Sequence, residues 1–274
     1  MEKKKILFVS QEITPFLPKS DLSTTARKLP QGVQEGGKEI RVFMPRFGVI
    51  NERRHQLHEV IRLSGMNLIV DDLDHPLIIK VASIPTARMQ VYFIDNEEYF
   101  KRKGVFTDSK DNEYEDNDER SMFFCRGVLE TVKKLGWKPD VIHCHGWMTS
   151  LMPMYVKDIY KNDPHFSDTK VVYSMYNNEF NKNWDNRFKE KLKFEGFNTE
   201  IVDAIKGGDF TSLNKSAMDF SDGIVMGSES LNDELATAFE ETKKLKMEFE
   251  SEEVKPKLMN EFFDKVIDEE AVIQ

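Results

Sequence analysis

Ile6-Leu-Phe-Val9, the run from Leu22 to Glu35, and Glu39-Ile-Arg-Val-Phe-Met44 follow one another near the start of the chain, and their order decides the fold. Four consecutive apolar residues without polar alternation are the pattern of a parallel strand buried on both faces. A polar loop holding Pro15 and Pro18 leads to a segment of helical spacing, in which Pro30 predicts a kink or break and Gly36-Gly37 a stop. Glu39 to Met44 reads as a second strand closed by Pro45. Strand, helix and strand make a β-α-β unit, and right-handed crossovers make its strands parallel.

The alternation returns further on. Asp140-Val-Ile-His-Cys-His145 reads as a strand, Trp147 to Tyr160 as a helix and Thr169-Lys-Val-Val-Tyr-Ser-Met175 as a strand. Ahead of them Met122, Cys125, Leu129 and Val132 recur at helical spacing, with Gly136 as the stop. Residues 55–95 hold short apolar stretches, such as Leu77-Ile-Ile79 and Val91-Tyr-Phe-Ile94, that predict hairpins or edge strands, and the acidic stretch from Asp108 to Glu119 predicts a loop. After a polar excursion from Asn177 to Gly208 come a helix over Leu213 to Phe220 and a short strand over Gly223-Ile-Val-Met-Gly227, where the sheet is expected to end. Helix resumes from Glu229. From Glu240 the chain is rich in Glu and Lys around Leu245, Met247, Phe249, Phe262, Phe263, Val266 and Ile267, which predicts one or two amphipathic helices that cap the domain or meet a partner. The fold class is therefore α/β, a doubly wound and mostly parallel sheet over residues 1–235 with a charged helical tail over 236–274.

Composition removes several function classes. A net charge of −9 from 39 basic and 48 acidic residues gives no basic field for a phosphate backbone, so nucleic acid is not an expected partner. The apolar run at Ile6–Val9 is too short for a signal-peptide core or a membrane span. Two cysteines, Cys125 and Cys144, make neither a disulfide scaffold nor a Cys-x-x-Cys ligand pair, and a reducing cytoplasm is the expected compartment.

Several segments resemble, in order, glycosyltransferase family 5, the bacterial glycogen and plant starch synthases. Val91-Tyr-Phe-Ile-Asp-Asn-Glu-Glu-Tyr-Phe100, Lys101-Arg-Lys-Gly104, Asp116-Asn-Asp-Glu-Arg120 and Phe123-Phe-Cys-Arg126 are similar to that family's Tyr-Phe-x-Arg-x-Gly turn and Asp-Asn-x-x-Arg helix start. Gly136-Trp-Lys-Pro-Asp-Val-Ile-His-Cys-His-Gly-Trp-Met-Thr149 is similar to its Trp-x-Pro-Asp-Val-x-His-x-His-Asp-Trp-His, and Val171-Val-Tyr-Ser-Met-Tyr-Asn177 to a strand ending Thr-x-His-Asn. The likeness covers roughly residues 4 to 235, the size of the family's N-terminal Rossmann-like domain, and places a site at the carboxyl ends of the parallel strands.

The site residues depart from the pattern. Over Pro15-Phe-Leu-Pro-Lys-Ser-Asp-Leu-Ser-Thr24 the family has Pro-Phe-x-Lys-Thr-Gly-Gly-Leu-x-Asp, so Pro18 stands on its lysine and Ser20 and Asp21 on its two glycines. Those glycines present backbone N–H groups to phosphates in conformations other residues resist, and an acidic side chain there repels a diphosphate. Lys19, one position along, is the remaining cation. Gly146 stands where the family carries Asp, Met148 where it carries His, and Tyr176 where it carries the His that resembles a contact to the transferred glucose. Gly and Met side chains cannot stabilise an oxocarbenium-like centre or a departing diphosphate. No catalytic residue is nominated; Lys19, Tyr99, His145, Tyr176 and Asn177 are the candidate substrate contacts.

Family members also carry a second Rossmann-type domain that closes the cleft, and its absence from these 274 residues makes autonomous glucosyl transfer an unexpected activity. The resemblance thus implies a protein of storage-glucan metabolism, catalytically degenerate, that binds a glucan or a partner protein. Two other readings stay open: transfer of glucose from ADP-glucose to an α-1,4-glucan, alone or with a separate C-terminal half, and an interaction protein whose cleft is filled. No cofactor is expected. His143 and His145 share one face of their strand with Cys144 on the other, and read as hydrogen-bonded strand-end histidines rather than metal ligands. The cysteines read as small buried residues, and Trp147 as core rather than a sugar platform.

Overall fold

A computed structural model describes residues 3–268. The first unit is β1 (Lys5–Ser10), α1 (Asp21–Glu35) and β2 (Glu39–Pro45). Next come α2 (Glu52–His55), β3 (His58–Glu59), β4 (Met66–Val70), β5 (Leu73–Ile84), β6 (Met89–Asp95) and α3 (Glu97–Phe100). The second block holds α4 (Asn117–Lys134), β7 (Val141–His145), α5 (Met152–Met154), β8 (Lys170–Met175), α6 (Phe188–Phe194), α7 (Thr199–Ala204) and α8 (Phe210–Asp219). It closes with β9 (Gly223–Met226), α9 (Asp233–Glu241), β10 (Leu245–Met247) and α10 (Lys255–Asp268).

One mixed sheet runs in the order β10-β9-β8-β7-β1-β2-β6-β5-β3, with β4 paired to β5 off this path. Every pair from β10 to β6 is parallel, while β5 runs antiparallel to β6 and β3 and β4 run antiparallel to β5. Helices cover both faces, and so β1, β7 and β8 are buried along almost their whole length. The doubly wound α/β class follows from this order. The hairpins foreseen in residues 55–95 are β3, β4 and β5; β6 belongs instead to the parallel core beside β2.

Four expectations need correction. First, α1 runs unbroken through Pro30, whose ring is buried, and ends at Gly37 in the left-handed region with φ 99°. Second, Trp147 to Tyr160 is not one helix but a 3-10 turn, the short α5 and a π turn over Tyr155–Ile159. Pro153 lacks the N–H that a continuous helix would use there. Third, the excursion after Asn177 carries α6 and α7, tied down by buried ion pairs: Lys191 Nζ lies 2.9 Å from Asp118, and Glu195 2.9 Å from Arg126.

Fourth, the sheet does not end at β9. β10 pairs parallel to it through Leu245, Lys246 and Met247, so the segment beyond Glu240 is not helical throughout. Further on, α10 packs along α1 and buries Met259, Phe262, Phe263 and Val266. The packing is close: a Cβ on Gly32 would lie 2.4 Å from Pro256 Cβ, and one on Gly36 2.3 Å from the Asn260 amide. Of the two roles foreseen for this segment, α10 as described caps the sheet, with Phe263 edge-on to Phe8 and His143.

Candidate functional site

The chain leaves β1 toward β2 on one side, while β7 begins the half that extends to the other side. Open α/β sheets bind ligands in the crevice above such a switch point. Here that crevice lies between the residues after β1, Gln11 and Glu12, and those after β7, Gly146 to Met148. Gln11 is buried and its Oε1 accepts the Met148 N–H at 3.1 Å. Gly146 has φ 85°, and a Cβ on it would meet Gln11 Oε1 at 2.4 Å and Leu22 Cδ1 at 2.7 Å. The position where the resemblance expects an aspartate therefore has neither the backbone nor the room for one. Met148 is fully buried, and its carbonyl accepts from Ser121 Oγ at 2.9 Å.

The loop over 11–20 is clamped from below by Ile13, Phe16 and Leu17, all buried, with Phe16 edge-on to Phe93. Pro18 and Lys19 are exposed at its tip, and the Lys19 side chain has no hydrogen bond or ion pair among the described residues. Ser20 is the N-cap of α1. Its Oγ accepts the Ser23 N–H at 2.9 Å, its own N–H donates to Ser23 Oγ at 2.8 Å, and its hydroxyl donates to Glu12 Oε2 at 2.9 Å. Gln11 Nε2 donates to the other oxygen of Glu12 at 3.1 Å. This capping box uses donors of the α1 N-terminus that would otherwise face an anion, and places the Glu12 and Asp21 carboxylates beside them.

Tyr176 and His145 form the floor. The Tyr176 hydroxyl lies 2.8 Å from His145 Nδ1, and only 2% of the residue is exposed. Burial, partly offset by a hydrogen bond to Thr25, and then the Glu12 and Asp21 carboxylates hold the phenol far above its ordinary pKa. Burial and then the Lys255 charge push His145 down to about 3; burial, His145 and Lys255 hold His143 well below the usual histidine range. The two rings sit 4.0 Å apart on one face, with His143 Nε2 2.7 Å from Ser174 Oγ. They are neutral imidazoles near pH 7. Among the described residues no group of three or more His, Cys, Asp or Glu is placed to hold a metal ion.

The remaining candidates separate. Tyr99 is 1% exposed, its hydroxyl held 2.9 Å from His75 Nε2 and 3.1 Å from Glu119 Oε2, so no face of it is open to a ligand in this conformation. Asn177 is exposed at the end of β8, its N–H donating to Ser228 Oγ at 3.0 Å, and next to it both polar atoms of the Asn178 amide are buried without a partner. Trp147 is core, as expected, packed against Phe106 at 4.7 Å and Phe180 at 5.0 Å. Gln11, Glu12, Leu22 and Asn178 were not singled out from the sequence; their adjacency to the carboxyl ends of β1 and β8 is the signal that could have found them.

A family model described as the starch synthase catalytic domain matches residues 5–248. A glycogen synthase of Chlorobium limicola is 43% identical over 174 residues, 63% of this chain and 36% of that protein. One of Chlorobaculum parvum is 33% identical over 235 residues, 85% of this chain and 47% of that protein. The matched stretch thus spans between about a third and a half of these relatives' length. In three dimensions the chain is similar to the catalytic domain of starch synthase IV from Arabidopsis thaliana bound to ADP and acarbose, with a TM-score of 0.66 and 18% identity over 82% of this chain and 45% of that one.

Proposed function

The chain belongs to glycosyltransferase family 5, the glycogen and starch synthases, and from that premise we propose that it serves storage-glucan metabolism by binding a glucan or a partner protein rather than by transferring glucose itself. The observation that carries this reading is the state of the crevice. Gln11 and Leu22 fill the space beside Gly146, and Ser20 caps α1 where a phosphate would need free N–H groups. An ADP-sugar would bring its diphosphate toward Glu12 and Asp21, against unfavourable charge. A neutral α-glucan meets no such penalty. Asn177 at the rim is the exposed polar group it would use, joined by the buried Asn178 amide and the Tyr176 hydroxyl if the rim opens. The compartment consistent with this role is the cytoplasm; among the described residues no helix is long and apolar enough to cross a membrane.

One observation favours a second reading. Lys19 is exposed and unpaired one position from the family's phosphate-facing lysine, so it could approach a donor if a separate C-terminal half supplied the opposite wall. Calorimetric titration with ADP-glucose and, separately, a maltooligosaccharide distinguishes the two. Heat with the oligosaccharide alone supports the glucan-binding role. ADP release from ADP-glucose on addition of glucan would sink it and restore the transferase, and silence with both ligands would leave the partner protein.

A further inference from the structure

Two adjoining concavities, of about 520 and about 530 Å³, lie at the opposite end of the sheet from the crevice and share Gln34 and Arg88. The first reaches down to Arg41 and Tyr92 between the starts of β2 and β6; the second runs along α1 past Gln31 to Thr86. Two arginines line this groove and a third stands beside it. Arg41 Nη1 donates to the Tyr92 hydroxyl at 2.8 Å, its guanidinium sits 5.2 Å from the Trp137 ring, and its Nε is buried without a partner. Arg88 lines both parts and makes no side-chain hydrogen bond among the described residues. Arg27 stands beside the far end, donating to the lining residues Gln31 at 2.9 Å and Thr86 at 2.9 Å, with burial lowering its pKa.

Neither Arg41 nor Arg88 has a carboxylate in ion-pair reach among the described residues, which is also true of the exposed Arg53, Arg54 and Arg62; what sets Arg41 apart is a guanidinium Nε buried without a partner. Arg41 and Arg88 therefore line one concavity together with no acidic residue in its wall, a charge arrangement that lacks its counter-ion. Glu35, in the second concavity, is the one acidic lining residue, and it accepts from Gln31. In the first concavity, whose wall holds no acid, the two positive charges of Arg41 and Arg88 match a phosphate group, which carries roughly −1.5 to −2 near neutral pH. Guanidinium forks suit its oxygens, and Ser83 and Gln90 offer further hydrogen bonds.

We propose that this groove at the foot of the sheet binds a small phosphate-bearing ligand through Arg41 and Arg88. The test is calorimetric titration of the whole chain with inorganic phosphate and with glycerol 3-phosphate, glycerol serving as the neutral control. The expected result is saturable binding with Kd on the order of 0.1–1 mM, weakening as ionic strength rises, and silence with glycerol. Arg88→Gln, at an exposed side chain, is expected to weaken binding about tenfold, and Arg41→Lys, which keeps the charge but loses the fork, by a similar factor. Tighter binding of glycerol 3-phosphate than of phosphate would assign the groove to an organic phosphate; equal binding would assign it to the free ion, and either supports the proposal. No saturation up to about 20 mM, or affinity unchanged in Arg88→Gln with its melting curve intact, would overturn it.

Discussion

The crevice above β1 and β7 and the groove below β2 and β6 are opposite in how they are filled. At the crevice the groups nearest Gly146 have found internal partners: Ser20 with Ser23 and Glu12, Gln11 with Met148, Tyr176 with His145, while Lys19 at the loop tip stays apart. At the groove Arg41 has a hydroxyl and a ring beside it; among the described residues Arg88 makes no side-chain hydrogen bond, and neither meets an anion. The contrast teaches that position at a topological switch point does not by itself make a ligand site. A crevice can be closed by its own side chains while an unremarked end of the same sheet keeps unmatched charge.

The sharpest way to break the comparison is to put an acid where the family carries one. Gly146→Asp at φ 85°, with Gln11 Oε1 and Leu22 Cδ1 in the way, is expected to cost about 3 kcal/mol or more, read as a lower midpoint in urea unfolding. A variant as stable as the parent would mean that the crevice is open. The buried imidazole comes next. Because its pKa falls to about 3 in the fold, the unfolded chain binds the extra proton between about pH 6.5 and 3, and stability drops as pH falls through that window. His145→Gln should remove about 2–3 kcal/mol of the loss between pH 6.5 and 4. Asp118, raised by burial to about 6, titrates with the opposite sign, so the comparison is parent against variant at each pH.

A smaller effect is expected from Tyr176→Phe. Losing the hydroxyl leaves His145 Nδ1 unpaired and should cost about 1–2 kcal/mol in the same unfolding assay. At the groove the expectation is smallest: Arg88→Gln should change stability in phosphate-free buffer by less than about 0.5 kcal/mol, since its side chain has no partner to lose among the described residues. In phosphate the parent should gain more melting temperature than the variant. Equal gain in both would erase the difference between the two regions.

The sequence made the sheet legible wherever one segment carried its own pattern. Ile6–Val9 is an uninterrupted apolar run and Val171–Met175 is broken only by Ser174, and both are central strands. It was less legible where a neighbour decides. Leu245-Lys-Met247 sits in a Glu- and Lys-rich stretch and is a strand only because β9 offers an open edge. The site divides in the same way. The departures at Pro18, Gly146 and Tyr176 could be seen by matching motifs, but that Gln11 and Leu22 occupy the space beside Gly146 depends on packing across 135 residues of chain. Likewise Tyr99 falls on a family motif, yet His75 and Glu119, from other elements, bury it.

The seat of α10 on α1 has a consequence for how the protein is made. Phe263 covers Phe8 and His143 on the sheet face beside α1, and Phe8 and Phe263 are separated by most of the chain. At synthesis rates of about 5–20 residues per second, that face stays bare for roughly 10–50 s after β1 has left the ribosome. Over that interval the nascent chain carries its central strand uncovered, a period in which a chaperone would hold it or a neighbouring nascent chain would compete for it.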